Sequence, residues 1–279
     1  MSLQSADPTA QHPLLVTTQW LADHLDDPDL VLVDAGEAVA YRRAHIRGAA
    51  APSHPYLKGQ ADDLFVMPPD EFAALARRLG ISADSEVIVY DDNASLHAAR
   101  VWWALHLYGH DHVRVVDGGF NTWLEEGRPL TSAPPRRHEG TFEPRERAHE
   151  RCSLDDLQAA LHSGAQIWDA RSSGEWNGTE LRENRRGGHV PGARHVEWIR
   201  VMEGPPYRRF RPLTEVRSIL SEAGIDPVAA TITYCQSGIR ASFAALVLRL
   251  LGNDAARAYD GSMAEWANRD DTPLTTQNG

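Results

Sequence analysis

The chain has 279 residues, 42% of them hydrophobic and 24% charged, a composition that suits a soluble globular protein of about two domains and excludes an intrinsically disordered, collagen-like or coiled-coil chain. Lys and Arg number 28 against 39 Asp and Glu, so the net charge of −11 repels nucleic acid and anionic membranes, and a small anion would need a local positive pocket. Two cysteines, Cys152 and Cys235, are too few for a disulfide framework or a Cys-rich zinc site and point to a reducing compartment. No apolar run approaches the ~20 residues of a membrane span. Residues 1–15 show no basic stretch followed by an apolar core, and the sequence reads as a cytoplasmic monomer with neither nucleic-acid nor membrane partners.

In chain order, Thr18-Gln19-Trp20-Leu21 opens a helix after a Thr cap, and the apolar run 30–35 reads as a buried strand ending in Asp34. His45-Ile46-Arg47-Gly48-Ala49 marks a turn, 71–79 a helix and 86–91 a second strand that ends in Asp91. A long apolar helix over 96–108 stops at Gly109, and Asp117-Gly118-Gly119 is the last landmark of this half. Residues 129–147 carry Pro129, Pro134, Pro135 and Pro144 among charges and read as an exposed linker, with a boundary near residue 140.

The same landmarks then return in the same order. Ser153-Leu154-Asp155-Asp156-Leu157 and the strand Gln166-Ile167-Trp168-Asp169-Ala170 lie 135 positions after their counterparts, whereas His189-Val190-Pro191-Gly192-Ala193 lies 144 after, so the second copy holds nine extra residues. Helical patterns at 214–222 and 241–251, the strand Thr231–Tyr234 and Asp260-Gly261-Ser262 complete the repeat. Strands alternating with helices give an α/β fold class, with a mostly parallel sheet flanked by helices once per half.

Cys235 ends a strand and begins Cys235-Gln236-Ser237-Gly238-Ile239-Arg240, which runs into an apolar helix. Ligands of open α/β sheets bind beyond the carboxyl ends of strands, where the next helix presents free amides and a partial positive charge. A cysteine there, beside an Arg, is expected to ionise more easily than a free thiol and to act as a nucleophile. Gly238 lets the loop curl so that several amides converge into an anion-binding nest. Cys152, just before a helix cap, has no such setting.

This loop, preceded by Asp169-Ala170-Arg171 and Gly188-His189-Val190-Pro191-Gly192-Ala193 and followed by Asp260-Gly261-Ser262, resembles that of the two-domain rhodanese sulfurtransferases, and the likeness covers about residues 13–275. It implies two tandem rhodanese-like domains: a non-catalytic one over 13–130, a linker over 131–147 and a catalytic one over 148–275. Asp91 stands in the first copy where Cys235 stands in the second. The implied chemistry moves a sulfane sulfur from a small anionic donor to cyanide or a thiol through a Cys235 persulfide, without metal or organic cofactor.

In that reading Arg240, Gln236, Ser237, Gly238 and Ile239 bind the donor, and Asp169 supports the loop. Arg185 and Arg186, from the extra residues of the second copy, add positive charge. Arg171 and Glu175, four apart, are expected to pair with each other, and His189, repeated as His45, to stabilise a turn. Thiosulfate is the favoured donor because Arg240 ends the loop, and 3-mercaptopyruvate is the alternative, since Ser237 and Gly238 match that branch. A Cys-dependent phosphatase is disfavoured because four residues, not five, separate Cys235 from Arg240, and the intact loop argues against a purely non-catalytic binding module.

Overall fold

The computed structural model describes residues 12–276 except 55, 136, 207 and 208, so most of the N-terminal stretch considered above lies outside the described residues. The first repeat runs β1 (Leu15–Val16), α1 (Thr18–His24), β2 (Leu30–Asp34), α2 (Ala38–Arg43), α3 (Pro69–Arg78), β3 (Glu86–Tyr90), α4 (Leu96–Leu107), β4 (Val113–Val116) and α5 (Gly119–Glu125). The second runs β5 (Arg151–Cys152), α6 (Leu154–Ser163), β6 (Gln166–Asp169), α7 (Ser173–Asn177), β7 (Arg194–His195), α8 (Leu213–Glu222), β8 (Thr231–Tyr234), α9 (Ile239–Leu250), β9 (Arg257–Tyr259) and α10 (Ser262–Trp266). Thr17 caps α1, and Ser153 and Asp156 close a capping box at the start of α6.

All paired strands within the two sheets are parallel, in the orders β1-β4-β3-β2 and β5-β9-β8-β6-β7. The β6–β7 pair has its first-repeat counterpart in the single parallel bridge Val33–Ala50. Both sheets are thus the expected mostly parallel kind, flanked by helices.

Strand alternation divides each sheet into two faces. Leu30, Leu32 and Ile88 pack outward with Leu21 of α1 and Trp123 of α5, while Val31, Val33, Val87 and Val89 face inward. On the second sheet Ile167 and Ile232 pack outward with Leu157, Met263 and Trp266. The inward faces share one core with α3, α4, α8 and α9, so no boundary interrupts the apolar packing between the two repeats. Helices α4 and α9 are apolar nearly all round because each lies between a sheet and the other helix. Trp102, Trp103, Phe243 and Leu246 are fully buried there, and each such side chain is worth roughly 1.5–3 kcal/mol of apolar transfer.

Residues 131–147 do not behave as a free linker. Arg77 donates from Nε to Phe142 O at 2.9 Å, Gly140 N and Phe142 N donate to Arg77 O and Ile81 O, and the Phe142 ring is buried against Phe72. Further along, Arg145 N and Arg147 N donate to Tyr108 O and Leu107 O, so this proline- and charge-rich stretch is fastened to the first repeat at several points. Among the described residues no helix is long and apolar enough to cross a membrane.

Candidate active site

Cys235 follows β8, the central strand of the second sheet, and is buried where α9 begins. Its N–H donates to Ser262 Oγ at 3.0 Å; that hydroxyl donates to Tyr259 O at 2.7 Å and stands 3.9 Å from Cys235 Sγ. The loop's carbonyls are held from outside. Met263 N donates to Cys235 O, Ala264 N to Gln236 O, Lys58 Nζ to Ser237 O, and the amide and hydroxyl of Ser242 to Gly238 O. In a trans peptide the N–H points opposite to its C=O, so the amides of Gln236, Ser237, Gly238 and Ile239 turn the other way. Among the described residues these four amides make no intramolecular hydrogen bond.

The first repeat shows what such a ring binds. The carboxylate of Asp91 accepts from Asn93 N (3.0 Å) and Ser95 N (2.9 Å) on Oδ1, and from His97 N (2.7 Å) and Ala98 N (2.9 Å) on Oδ2. Four amides converge on one anion supplied by the chain itself; from the starts of α4 and α9, those of Ser95, His97 and Ala98 correspond to the amides of Gly238, Arg240 and Ala241. Ser95 and Gly238 are the corresponding left-handed caps of α4 and α9, at φ 62° and 85°. Five residues separate Tyr90 from α4 and four separate Tyr234 from α9. The first ring is therefore one residue wider, which accommodates a carboxylate where the second ring meets a thiol.

Beneath the loop lies Asp260, placed so that a Cβ on Gly238 would come 2.3 Å from its Oδ1. Burial disfavours the charge on Asp260, but Arg100 of α4, Lys58 and the Val66 amide outweigh it and hold its pKa below the ordinary carboxylate value. Arg100 Nη1 is 2.7 Å from Oδ1, and Val66 N donates to Oδ2 at 2.6 Å. All three partners come from the first repeat. Lys58 reaches across to Ser237 O at 2.9 Å and stands 3.9 Å from Asp260 Oδ1. Burial and the nearby Arg100 push its pKa down to about 8, against the pull of Asp260, Cys235 and Asp63.

Arg240 does not point freely into solvent. Its guanidinium forms a bidentate pair with Glu175 at 2.6 and 2.8 Å, and Arg182 lies 3.6 Å from the same carboxylate. Burial opposes ionisation of Glu175, yet Arg240 and Ser172 overcome it and hold the pKa at about 2. The expected Arg171–Glu175 pair is corrected accordingly. Arg171 instead grips Asp169 through Nη2 at 2.6 Å and Gly188 O at 2.9 Å, while Asp169 also accepts from Tyr234 OH at 2.5 Å. Asp169 also accepts from the Arg171 amide at 2.9 Å, so it braces the strand end behind Cys235 through Arg171 and Tyr234 and not through amides of the Cys235 loop.

The nine extra residues meet the loop by another route than the one anticipated. Arg185 turns to Asn268 and Asp270, and Arg186 donates to Ala267 O, Trp266 O, Thr272 O and Thr272 Oγ1. Their guanidiniums are committed to the chain around α10, and the positive charge expected from them at the loop is not delivered there. Asn184, the residue before them, exchanges two amide hydrogen bonds with Gln236 at 2.8 and 2.9 Å. Trp176 stacks on His189, whose backbone pairs with Thr275 as that of His45 pairs with Thr131. Among the described residues no cluster of His, Cys, Asp and Glu could hold a metal.

Sequence reasoning missed Lys58, Arg100, Asn184, Ser262 and the pairing of Glu175 with Arg240. One signal was available, because Lys58 is the only lysine beside 27 arginines.

A family model described as a rhodanese-like domain matches the chain twice, over residues 17–126 and 153–269. The thiosulfate sulfurtransferase of Azotobacter vinelandii is 34% identical over 272 residues, 96% of this chain and 99% of that one. The 3-mercaptopyruvate sulfurtransferase of Escherichia coli K12 is 31% identical over 275 residues, covering 93% and 96%. The crystal structure of SseA from Escherichia coli superposes with a TM-score of 0.81 at 30% identity, covering 89% of this chain and 98% of that one. A cysteine-bearing amide ring in one repeat, its carboxylate-filled twin in the other and these full-length likenesses agree: the chain belongs to the rhodanese family of sulfurtransferases and consists of two rhodanese-like domains in tandem.

Proposed function

We propose that the protein transfers a sulfane sulfur through a persulfide on Cys235, with thiosulfate as the favoured donor. The Cys235 thiolate attacks the outer sulfur of thiosulfate, a bond forms between the two sulfurs, and sulfite leaves with the electron pair of the broken S–S bond. The product, Cys–S–S⁻, carries its charge on the outer sulfur, within the ring of amides. A thiophilic acceptor, cyanide or a thiolate, then attacks that sulfur and returns the Cys235 thiolate. The two half-reactions predict ping-pong kinetics.

The observation that carries this reading is the amide ring at Cys235, whose counterpart binds a carboxylate through four N–H groups. Lys58, Arg182 and Arg240 supply positive charge near the loop for a dianionic donor. Their charge is shared with Glu175 and Asp260, so the site is less cationic than Arg240 alone suggested. The second reading, 3-mercaptopyruvate as donor, is favoured by Ser237 and by the likeness to the Escherichia coli relative.

Intact-mass and peptide mass measurement after exposure to thiosulfate tests the reading. One sulfur atom is expected on the peptide containing Cys235, lost in Cys235→Ser and retained in Cys152→Ser. Burial pushes the Cys152 thiol up to about 12, which keeps it protonated and unreactive. Initial rates with each donor and one acceptor decide between thiosulfate and 3-mercaptopyruvate.

A further inference from the structure

Lys58 belongs to the repeat that lacks the nucleophile. It opens a loop in which it pairs across with Val66, and the same bridge recurs in the second repeat between Met202 and Phe210. The second-repeat counterpart of this lysine is therefore uncharged. The Lys58 ammonium donates to Leu64 O at 2.5 Å within its own loop and to Ser237 O at 2.9 Å across the domain boundary, with Asp260 Oδ1 at 3.9 Å. Its side chain is only 14% exposed, so both carbonyls are held in a site with little water to replace it.

The bond to Ser237 O fixes more than one atom. Holding that carbonyl outward holds the Gly238 N–H inward, because the two belong to one planar trans peptide. The corresponding amide in the first repeat, Ser95 N, donates to the Asp91 carboxylate. Gly238 has no side chain to resist rotation of that peptide, and a rotated peptide would aim a carbonyl dipole at the sulfur instead of an N–H. We propose that Lys58 is a positioning residue for sulfur transfer, which locks the Ser237–Gly238 peptide in its anion-binding orientation and adds its charge to the loop from the non-catalytic repeat. This rests on the reading that Cys235 carries the sulfur.

The groups facing Lys58 are Arg100 from α4, Asp260 beyond β9, Cys235 beyond β8 and Asp63 in its own loop. With its pKa near 8 the charge is present at neutral pH and withdrawn just above it. The experiment follows the rate at which thiosulfate loads Cys235, by rapid quench and mass spectrometry, between pH 6 and 9.5, where thiosulfate does not titrate. In the native protein loading should decline on an alkaline limb centred near pH 8. Lys58→Arg should restore most of the rate at pH 7 and remove the limb, since guanidinium stays charged throughout. Lys58→Met should load about tenfold more slowly at pH 7, also without the limb. Native-like loading in Lys58→Met, or a limb that persists in Lys58→Arg, overturns the proposal. If Lys58→Met does not fold, the limb in Lys58→Arg alone decides. A native protein that never takes up sulfur refutes the persulfide reading itself, an outcome distinct from either.

Discussion

A methyl group at position 238 meets two obstacles at once. Gly238 sits at φ 85°, which costs an L-residue roughly 1–2 kcal/mol, and the added Cβ would fall 2.3 Å from Asp260 Oδ1. Gly238→Ala should lower stability by about 2–4 kcal/mol and reduce sulfur loading more than tenfold, read by thermal melting and by the mass assay. Two buried carboxylates give opposite pH signatures. Glu175, held at about 2, stabilises the fold fully above the ordinary glutamate range, and that contribution, about 2–3 kcal/mol, is lost as pH falls from about 4.5 through about 2. Asp34 is the first-repeat counterpart of Asp169, but Gly36 stands where Arg171 would neutralise it, and burial raises its pKa to about 6. Its ionisation costs stability as pH rises from about 4 through about 6. Asp34→Asn should therefore match the native protein near pH 4 and exceed it by about 1–2 kcal/mol at pH 8 in denaturant titrations.

The segment of extra residues acts at the scale of an element, as a brace between α7, α10 and the Cys235 loop. Arg186→Ala leaves the carbonyls of Ala267 and Thr272 without their donor and should cost about 1–3 kcal/mol, while kcat/KM of the folded protein stays near native. Measuring both separates an anchoring Arg from one that touches donor. Elements were the best-read level of the sequence. The Asp34, Asp169 and Tyr234 strand ends, the helix stopped at Gly109 and the paired His45 and His189 turns were legible because each depends on local spacing. Arg185 and Arg186 were misjudged because a sequence shows a charge but not the carbonyls that claim it. Phe142 was overlooked because a single aromatic in a proline-rich stretch has no periodicity to mark it.

At the scale of the whole molecule the two repeats exchange loops. Val66 N of the first donates to Asp260 of the second, and Phe210 N of the second donates to Asp117 of the first at 2.9 Å. Arg100 completes the first exchange from the centre of the shared core. Arg100→Leu leaves Asp260 buried without its principal counter-ion and should cost about 3–5 kcal/mol, and adding Asp260→Asn should recover part of that loss in a double-mutant cycle. None of this was legible in the sequence, since such contacts join residues more than ninety positions apart. The repeat disclosed that there are two like halves, and only packing disclosed that each anchors a loop on a buried aspartate of the other.

The single lysine makes this arrangement observable by enzymology of another kind. A protease specific for lysine can cut the chain at one bond, between Lys58 and Gly59, giving fragments 1–58 and 59–279. Because the Lys58 side chain is buried against the Cys235 loop, that bond is cleavable only when the interlocked loops part. The cleavage rate becomes a clock for that opening, and an anion seated in the amide ring should slow it.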